Sequence, residues 1–154
     1  MAAPDARAIV EAVLSHMPYG ANMGVEIVAL EADALLCRLP FDESLIGNTE
    51  LPALHGGALA SCMEIVAMLE VARRQLAHID MTALSDMPED VAKDLPVPVN
   101  VTVQYLRSAN AHDCHVRAEV LKLGRRSNTV LCRLWQEDEA KPVASMTGVF
   151  VRPA

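Results

Sequence analysis

The segment Leu54-His55-Gly56-Gly57-Ala58-Leu59-Ala60-Ser61-Cys62-Met63-Glu64 constrains the fold more than any other part of the chain. It opens a predicted helix that starts near Gly56 and runs to about Ala77. The first half is apolar almost all round: Ala58, Leu59, Ala60, Cys62, Met63, Ile65, Val66, Ala67, Met68 and Leu69. A helix that is apolar on every side has to be surrounded by protein. Its second half, with Glu70, Arg73, Arg74, Gln75 and His78, is expected to emerge into water. Two adjacent glycines open the helix, and backbone amides at a helix start attract developing negative charge. One carboxylate, Glu64, sits two turns further in, where burial is costly unless the group has a task. The combination points to chemistry on a carbonyl.

The flanking segments supply what surrounds such a helix. Residues from about Pro4 to His16 read as a short amphipathic helix, with Pro4 in its first turn and Ile9, Val10, Val13 and Leu14 in one stripe. Pro18-Tyr19-Gly20 then breaks it. Val25–Glu31 and Ala34–Leu39 have strand character and are expected to form a hairpin across Ala32-Asp33. Phe41 to Ala53 reads as a loop. Asp80 to Lys93 lacks a clear period and is long for a connection, so it is expected to cover something. Four strand-like runs follow: Val97–Arg107, Cys114–Leu123, Asn128–Glu137 and Pro142–Val151. Their joints contain Gly, Asn, Asp and Ser, which suits successive antiparallel turns. The order is helix, two strands, long buried helix, four strands. That is an α+β layout in which one curled sheet and one helix bury each other.

Composition narrows the function classes. Thirteen basic against twenty acidic residues give a formal charge of −7. Phosphate-backbone binding needs a positive field, so no nucleic-acid partner is expected. No stretch approaches the ~20 uncharged residues of a membrane helix, so no membrane partner is expected either. The N-terminus lacks a basic start followed by an apolar run. Cys37, Cys62, Cys114 and Cys132 form no C-x-x-C pair and lie in apolar segments. They are expected to be reduced, buried thiols, and the expected compartment is the cytoplasm. Cys62 as a nucleophile is the less favoured reading, since no base neighbours it in sequence. His112-Asp113-Cys114-His115 is compact and leads into a strand, where alternate residues point apart. It reads as a polar turn rather than a zinc site.

Gly47-Asn48, Leu54-His55-Gly56-Gly57-Ala58 and Glu64, supported by Tyr105-Leu106-Arg107-Ser108-Ala109, Gly124-Arg125-Arg126, Trp135-Gln136 and Pro142-Val143-Ala144, resemble the hotdog-fold thioesterases. Within them they resemble the PaaI-like branch related to the phenylacetate-pathway thioesterase. The resemblance implies one hotdog domain over residues 1–154, with 1–20 an N-terminal helix and turn, and a long central helix wrapped by a curled antiparallel β-sheet. It implies an acyl-CoA substrate, with no cofactor beyond the CoA of the substrate and no metal. It also implies a homodimer or homotetramer with the active site at the subunit interface. Carried over by position, the Gly56 N–H meets the thioester carbonyl and Glu64 is the catalytic carboxylate. His55 supports the loop and the helix start, and Asn48 matches an Asn that holds the attacking water or the substrate. Some relatives carry a hydroxyl residue where this chain has Pro98.

Thioester hydrolysis needs an activated water or an attacking carboxylate, together with a donor for the oxyanion. Glu64 suits either the general-base or the nucleophile role, and the helix amides suit the donor. Gly57, Arg107, Gly124, Arg125 and Arg126 are the candidate substrate-binding residues. Arg107, Lys122, Arg125 and Arg126 are read as one local patch for the CoA phosphates, against the alternative of a solvated turn. His55 is read as structural or as part of the chemistry, and Gly56-Gly57 as an anion site or a close-packing device. Gly56 and Glu64 lie eight positions apart, ~12 Å along a helix, while reacting atoms start within ~3–3.5 Å. One chain's Gly56 and Glu64 are therefore not expected to serve the same carbonyl, and a composite site across two subunits is. The competing functions are a hotdog hydroxyacyl-thioester dehydratase or hydratase, and a non-catalytic acyl-CoA-binding module.

Overall fold

The computed structural model describes residues 5–80 and 87–153. Helix α1 (Ala6–Ser15) begins at Asp5, whose Oδ1 accepts the Arg7 N–H at 2.9 Å, and buries Ile9, Val10 and Val13. The expected role of Pro4 lies outside the described residues. Pro18 starts a second helix, α2 (Pro18–Met23), instead of only breaking the first. Proline suits a first helical turn because its missing N–H would be unpaired there anyway. Gly24 ends α2 in the left-handed region, at φ 74°.

Strands β1 (Glu26–Leu30) and β2 (Ala34–Leu39) form the expected hairpin. The stretch read as a loop from Phe41 holds a 3-10 turn at Glu43–Leu45 and a small ribbon of β3 (Ile46–Asn48) and β4 (Ala53–Leu54). Strands this short carry no period for a sequence reading to detect. Helix α3 (Gly56–Gln75) follows, then α4 (Glu89–Lys93) inside the expected cover segment. The part of that segment at 81–86 lies outside the described residues. The chain ends with β5 (Val97–Tyr105), β6 (Cys114–Leu123), β7 (Ser127–Trp135) and β8 (Ala144–Val151).

Six strands make one antiparallel sheet in the order β1-β2-β6-β7-β8-β5. Its inner face is set by period-two burial. Leu35, Cys37 and Leu39 on β2, Val116 and Ala118 on β6, Val130, Cys132 and Leu134 on β7, and Met146 and Phe150 on β8 are all buried in one core cluster with the apolar residues of α3. The sheet curls so that β2, β5, β6, β7 and β8 all touch α3, and α1 closes the helix from another side. This is the hotdog arrangement.

Two expectations about α3 are corrected. Glu70 does not emerge into water: it is fully buried, and Arg73 is 9% exposed. Arg73 makes this possible by a two-pronged contact, Nε to Oε2 at 2.6 Å and Nη2 to Oε1 at 2.7 Å, and Arg74 Nε adds a third bond at 2.8 Å. A buried charge is tolerable once its lone pairs are all engaged. Glu64, expected to be the buried acid, is only half-buried.

Candidate active site

The Gly-Gly start of α3 is built around His55. Its Nδ1 folds back and accepts the Gly57 N–H at 2.9 Å, making it the helix N-cap. A Cβ at Gly57 would lie 2.9 Å from that nitrogen, and a Cβ at Gly47 would lie 2.7 Å from the His55 Cα. Both glycines therefore clear space for the cap. The His55 N–H donates to the Leu45 carbonyl at 2.8 Å, which ties the cap to the 3-10 turn just before β3. The His55 carbonyl accepts from Ala58 N at 3.0 Å and Leu59 N at 3.3 Å.

An α-helix begins with four amides that have no intrahelical partner. Of these, the His55 N–H goes to the Leu45 carbonyl and those of Gly57 and Ala58 go to His55 itself, whose carbonyl also takes the first regular helix bond from Leu59. Among the described residues the Gly56 N–H has no acceptor. Tyr105, at the end of β5, fixes this residue from the other side by donating its hydroxyl to the Gly56 carbonyl at 2.8 Å. A Cβ at Gly56 would meet the Tyr105 ring at 3.1 Å.

Glu64 lies on the one stripe of α3 that its own sheet leaves partly open, with Gly57, Ala60, Ser61 and Met68. Spacings of three, four, seven and eleven from Gly57 put these on one face. No hydrogen bond or ion pair within the described residues engages the Glu64 carboxylate. A cleft of about 480 Å³ opens at the head of this stripe, between His55, Gly57, Ala58 and Ser61 of α3 and Tyr19 and Met23 of α2. The Tyr19 hydroxyl lies 3.4 Å from Ser61 Oγ across it. Sequence reading passed over Tyr19, Ser61 and Tyr105. The signal for Ser61 was its place four residues after Gly57, and that for Tyr105 its place in a segment that supported the resemblance, while nothing local marked Tyr19.

The remaining candidates are not all brought to this end. Asn48 caps the turn after β3, its Oδ1 accepting from Glu50 N at 3.0 Å and Leu51 N at 3.3 Å. Its amide oxygen is thereby occupied. Arg107 follows Tyr105 and donates to the Pro142 carbonyl at 2.8 Å, near the Gly56 end of the molecule. Gly124, Arg125 and Arg126 instead line a cleft of about 940 Å³ at the C-terminal end of α3. Within one chain the expected single patch of Arg107, Lys122, Arg125 and Arg126 is therefore split. Its halves lie at opposite ends of β5, which at 3.3 Å per residue is on the order of 25 Å long.

The other reactive groups are accounted for. All four cysteines are free and buried. Burial, and secondarily the neighbouring Cys37, Cys114 and Cys132, drives the Cys62 thiol well above its ordinary value, which leaves no nucleophile there. In the His112–His115 turn, Asp113 accepts from Phe41 N at 2.7 Å and Arg38 Nη1 at 3.1 Å, Cys114 turns into the core, and His115 stacks on Trp135.

Residues 48–151 match the family described as the acyl-CoA thioesterase N-terminal domain. The chain belongs to this family. It is thus a thioester hydrolase, and the unpaired amide at a helix start lies inside the matched region. Among characterised relatives, the medium/long-chain acyl-CoA thioesterase YigI of Salmonella typhimurium is 22% identical over 143 residues, covering 92% of this chain and 89% of that protein. YigI of Escherichia coli is 21% identical over 141 residues with the same coverages. The Escherichia coli PaaI protein from the phenylacetic acid degradation operon superposes with a TM-score of 0.74 at 15% identity, over 97% of this chain and 94% of PaaI. A thioesterase family protein from Silicibacter pomeroyi gives a TM-score of 0.74 at 18% identity, over 96% and 97%. The two structural likenesses show that this chain shares the fold of these proteins. No helix among the described residues is long and apolar enough to cross a membrane.

Proposed function

We propose that the protein hydrolyses an acyl or aroyl CoA thioester to the free acid and CoA without a metal or further cofactor. The Gly56 N–H receives the thioester oxygen as it gains charge. Glu64 activates water or attacks directly. His55 is a positioning residue, because its Nδ1 is committed to the cap. The observation that carries this reading is the Gly56 amide, the one first-turn donor of α3 without an acceptor among the described residues. A preorganised donor aimed at developing charge is commonly the largest single contribution to acyl transfer.

The working unit in this reading is a homodimer or a tetramer built from it. Strand β5 is a sheet edge, and Val97, Val99 and Val101 on it are 43%, 59% and 38% exposed. An apolar edge of this kind is a ready template for a second copy. Small residues along the open stripe of α3 let a second helix approach closely. Ala60 lies midway between Gly56 and Glu64 on α3. A partner helix running antiparallel and crossing at Ala60 therefore sets Gly56 of one chain against Glu64 of the partner subunit. That removes the ~12 Å separation within a single helix.

Two substitutions test the chemistry. Glu64→Gln is expected to keep the melting temperature and lower kcat by ~10²–10⁴ for the loss of an acid–base group. Gly56→Pro removes the N–H and adds a ring whose Cβ meets Tyr105 at 3.1 Å. Proline is accepted at a first helical position, and the φ −67°, ψ 131° of His55 suits a residue before proline. A fall of ~10²–10³ in kcat is expected, against a smaller one for Gly56→Ala, which meets Tyr105 equally but keeps the donor. Thiol release from short, long, hydroxyphenylacetyl and benzoyl CoA esters is the assay. Tight CoA-ester binding without thiol release would instead support the binding-module alternative.

A further inference from the structure

Gly56 does not need to be glycine for its backbone conformation. Among the described residues Gly24 alone lies in the left-handed region, so φ at Gly56 is one that any residue adopts. It has to be glycine for room. A Cβ there would lie 3.1 Å from Cε1 and Cζ of Tyr105 and 3.2 Å from its hydroxyl oxygen. A glycine in the first turn leaves the backbone loose, because no other residue has as much conformational freedom. The same absence of a side chain lets the Tyr105 hydroxyl come within 2.8 Å of the Gly56 carbonyl. That bond is not needed to satisfy the carbonyl, which already opens the i→i+4 ladder of α3. Tyr105 is 55% exposed, so the bond adds little to stability either. What it adds is direction. Gly56 sits between two peptide units. The unit before it is held by the His55 carbonyl, which accepts from both Ala58 N and Leu59 N. The unit after it is gripped at both ends, by Tyr105 on its carbonyl and by His55 Nδ1 on its Gly57 N–H. The Tyr105 side of this grip is firm. Tyr105 pairs with Ala144 of β8, and the next two amides, of Leu106 and Arg107, both donate to the Val143 carbonyl at 2.8 and 3.1 Å.

We propose that Tyr105 is a positioning residue for the hydrolysis. Its hydroxyl, through the Gly56 carbonyl, aims the Gly56 N–H at the oxygen that gains charge, and so sets kcat rather than substrate affinity. The inference rests on the reading of Gly56 as the oxyanion donor and adds what holds that donor in place. Hydrogen bonds weaken steeply as the donor angle closes, so an amide free to swing is a poor donor for much of the time. An amide already aimed needs no reorganisation when charge develops. The three groups also form a chain: the Tyr105 hydroxyl donates to a peptide carbonyl, and the N–H of the same peptide donates to His55 Nδ1. Bonds in series polarise one another, so loss of the hydroxyl weakens the imidazole cap as well. The hydroxyl hydrogen is committed to the carbonyl and is not offered to substrate. No proton moves through Tyr105 in this role.

The test uses the full-length protein and a CoA ester that the wild type turns over. Tyr105→Phe keeps the ring over Gly56 and removes only the hydroxyl. It should lower kcat about three- to tenfold, the scale of one neutral hydrogen bond. KM should stay within about twofold, as for an interaction that acts only in the transition state. Replacing Tyr105 by para-aminophenylalanine returns a donor to the ring tip and should recover most of the lost kcat. In amide NMR relaxation the heteronuclear NOE of Gly56 should fall in Tyr105→Phe, while that of Ala67 in the middle of α3 stays unchanged. Gly56→Ala pushes the ring away from the same carbonyl, so its loss and that of Tyr105→Phe should not multiply in the double variant. Four results each overturn the proposal: an unchanged kcat in Tyr105→Phe, a raised KM at constant kcat, no recovery with the amino analogue, or losses that multiply. A loss that vanishes at higher protein concentration reports dissociation of subunits and overturns it too. Gly56→Pro separates this idea from the reading beneath it. If that variant lowers kcat and Tyr105→Phe does not, the positioning role alone falls. If Gly56→Pro itself turns over at the wild-type rate, the amide is not the donor and both fall.

Discussion

His55 organises the helix start through one nitrogen, and three glycines exist to let it and Tyr105 come close. Substituting them should separate the cap from the chemistry. Gly47→Ala sets a methyl 2.7 Å from the His55 backbone, which has nowhere to go, so a loss of ~1–3 kcal/mol is expected in urea unfolding. Gly57→Ala meets only the tip of the imidazole at 2.9 Å, so the cost should be that of losing a cap, ~1 kcal/mol. At the same scale the buried cysteines make a pH prediction. Burial first, then Glu70, pushes the Cys37 thiol up to about 12, and burial pushes Cys114 up to about 11. Both groups are protonated in either state well below pH 9. Above that the unfolded chain ionises first, so their contribution to stability is lost as pH rises from about 9 through these values. Melting temperature measured between pH 8 and 11 should fall, and native protein at pH 8 should resist alkylation at all four thiols until unfolded.

At the level of elements, α3 depends on both ends being satisfied. The start is capped by a side chain, while the last turns carry a carboxylate with no access to solvent. Glu70 is held by Arg73 and Arg74, and Arg73 Nη2 reaches the Ala34 carbonyl on β2 at 3.5 Å. Removing the acid leaves a buried guanidinium unpaired, so Glu70→Ala should cost ~3–5 kcal/mol in chemical unfolding. If the loss is no greater than a surface substitution, the triad is not what anchors α3 to β2. The β3–β4 ribbon and α2 are small, yet they position His55 and Tyr19. Each is too short to show a period, so their legibility in sequence was low for a physical reason: ribbon and turn are held by contacts to distant residues rather than by local preference.

For the molecule as a whole, β5 ends the sheet, and among the described residues no further strand pairs with it. Val99 is the bulged residue of that edge and 59% exposed. Val99→Lys should leave the unfolding free energy of the chain within ~0.5 kcal/mol, as surface changes do, while lowering the mass seen by sedimentation and with it the activity. An unchanged mass would remove β5 from the assembly surface.

The period-two strands, the all-round apolar helix and the Gly-Gly start were local in the chain, and through them the amino-acid order determined the α+β layout and the boundaries of α1 and α3 to within a few residues, while the resemblance to a family supplied the hotdog fold. Side-chain chemistry of that kind repeats at fixed intervals and needs no knowledge of neighbours. Which carboxylate is buried, which nitrogen caps α3, that Asn48 closes a turn and that the arginines divide between two ends of β5 were settled by packing in three dimensions. Burial and pairing depend on residues tens of positions away, and a one-dimensional pattern carries no record of those distances.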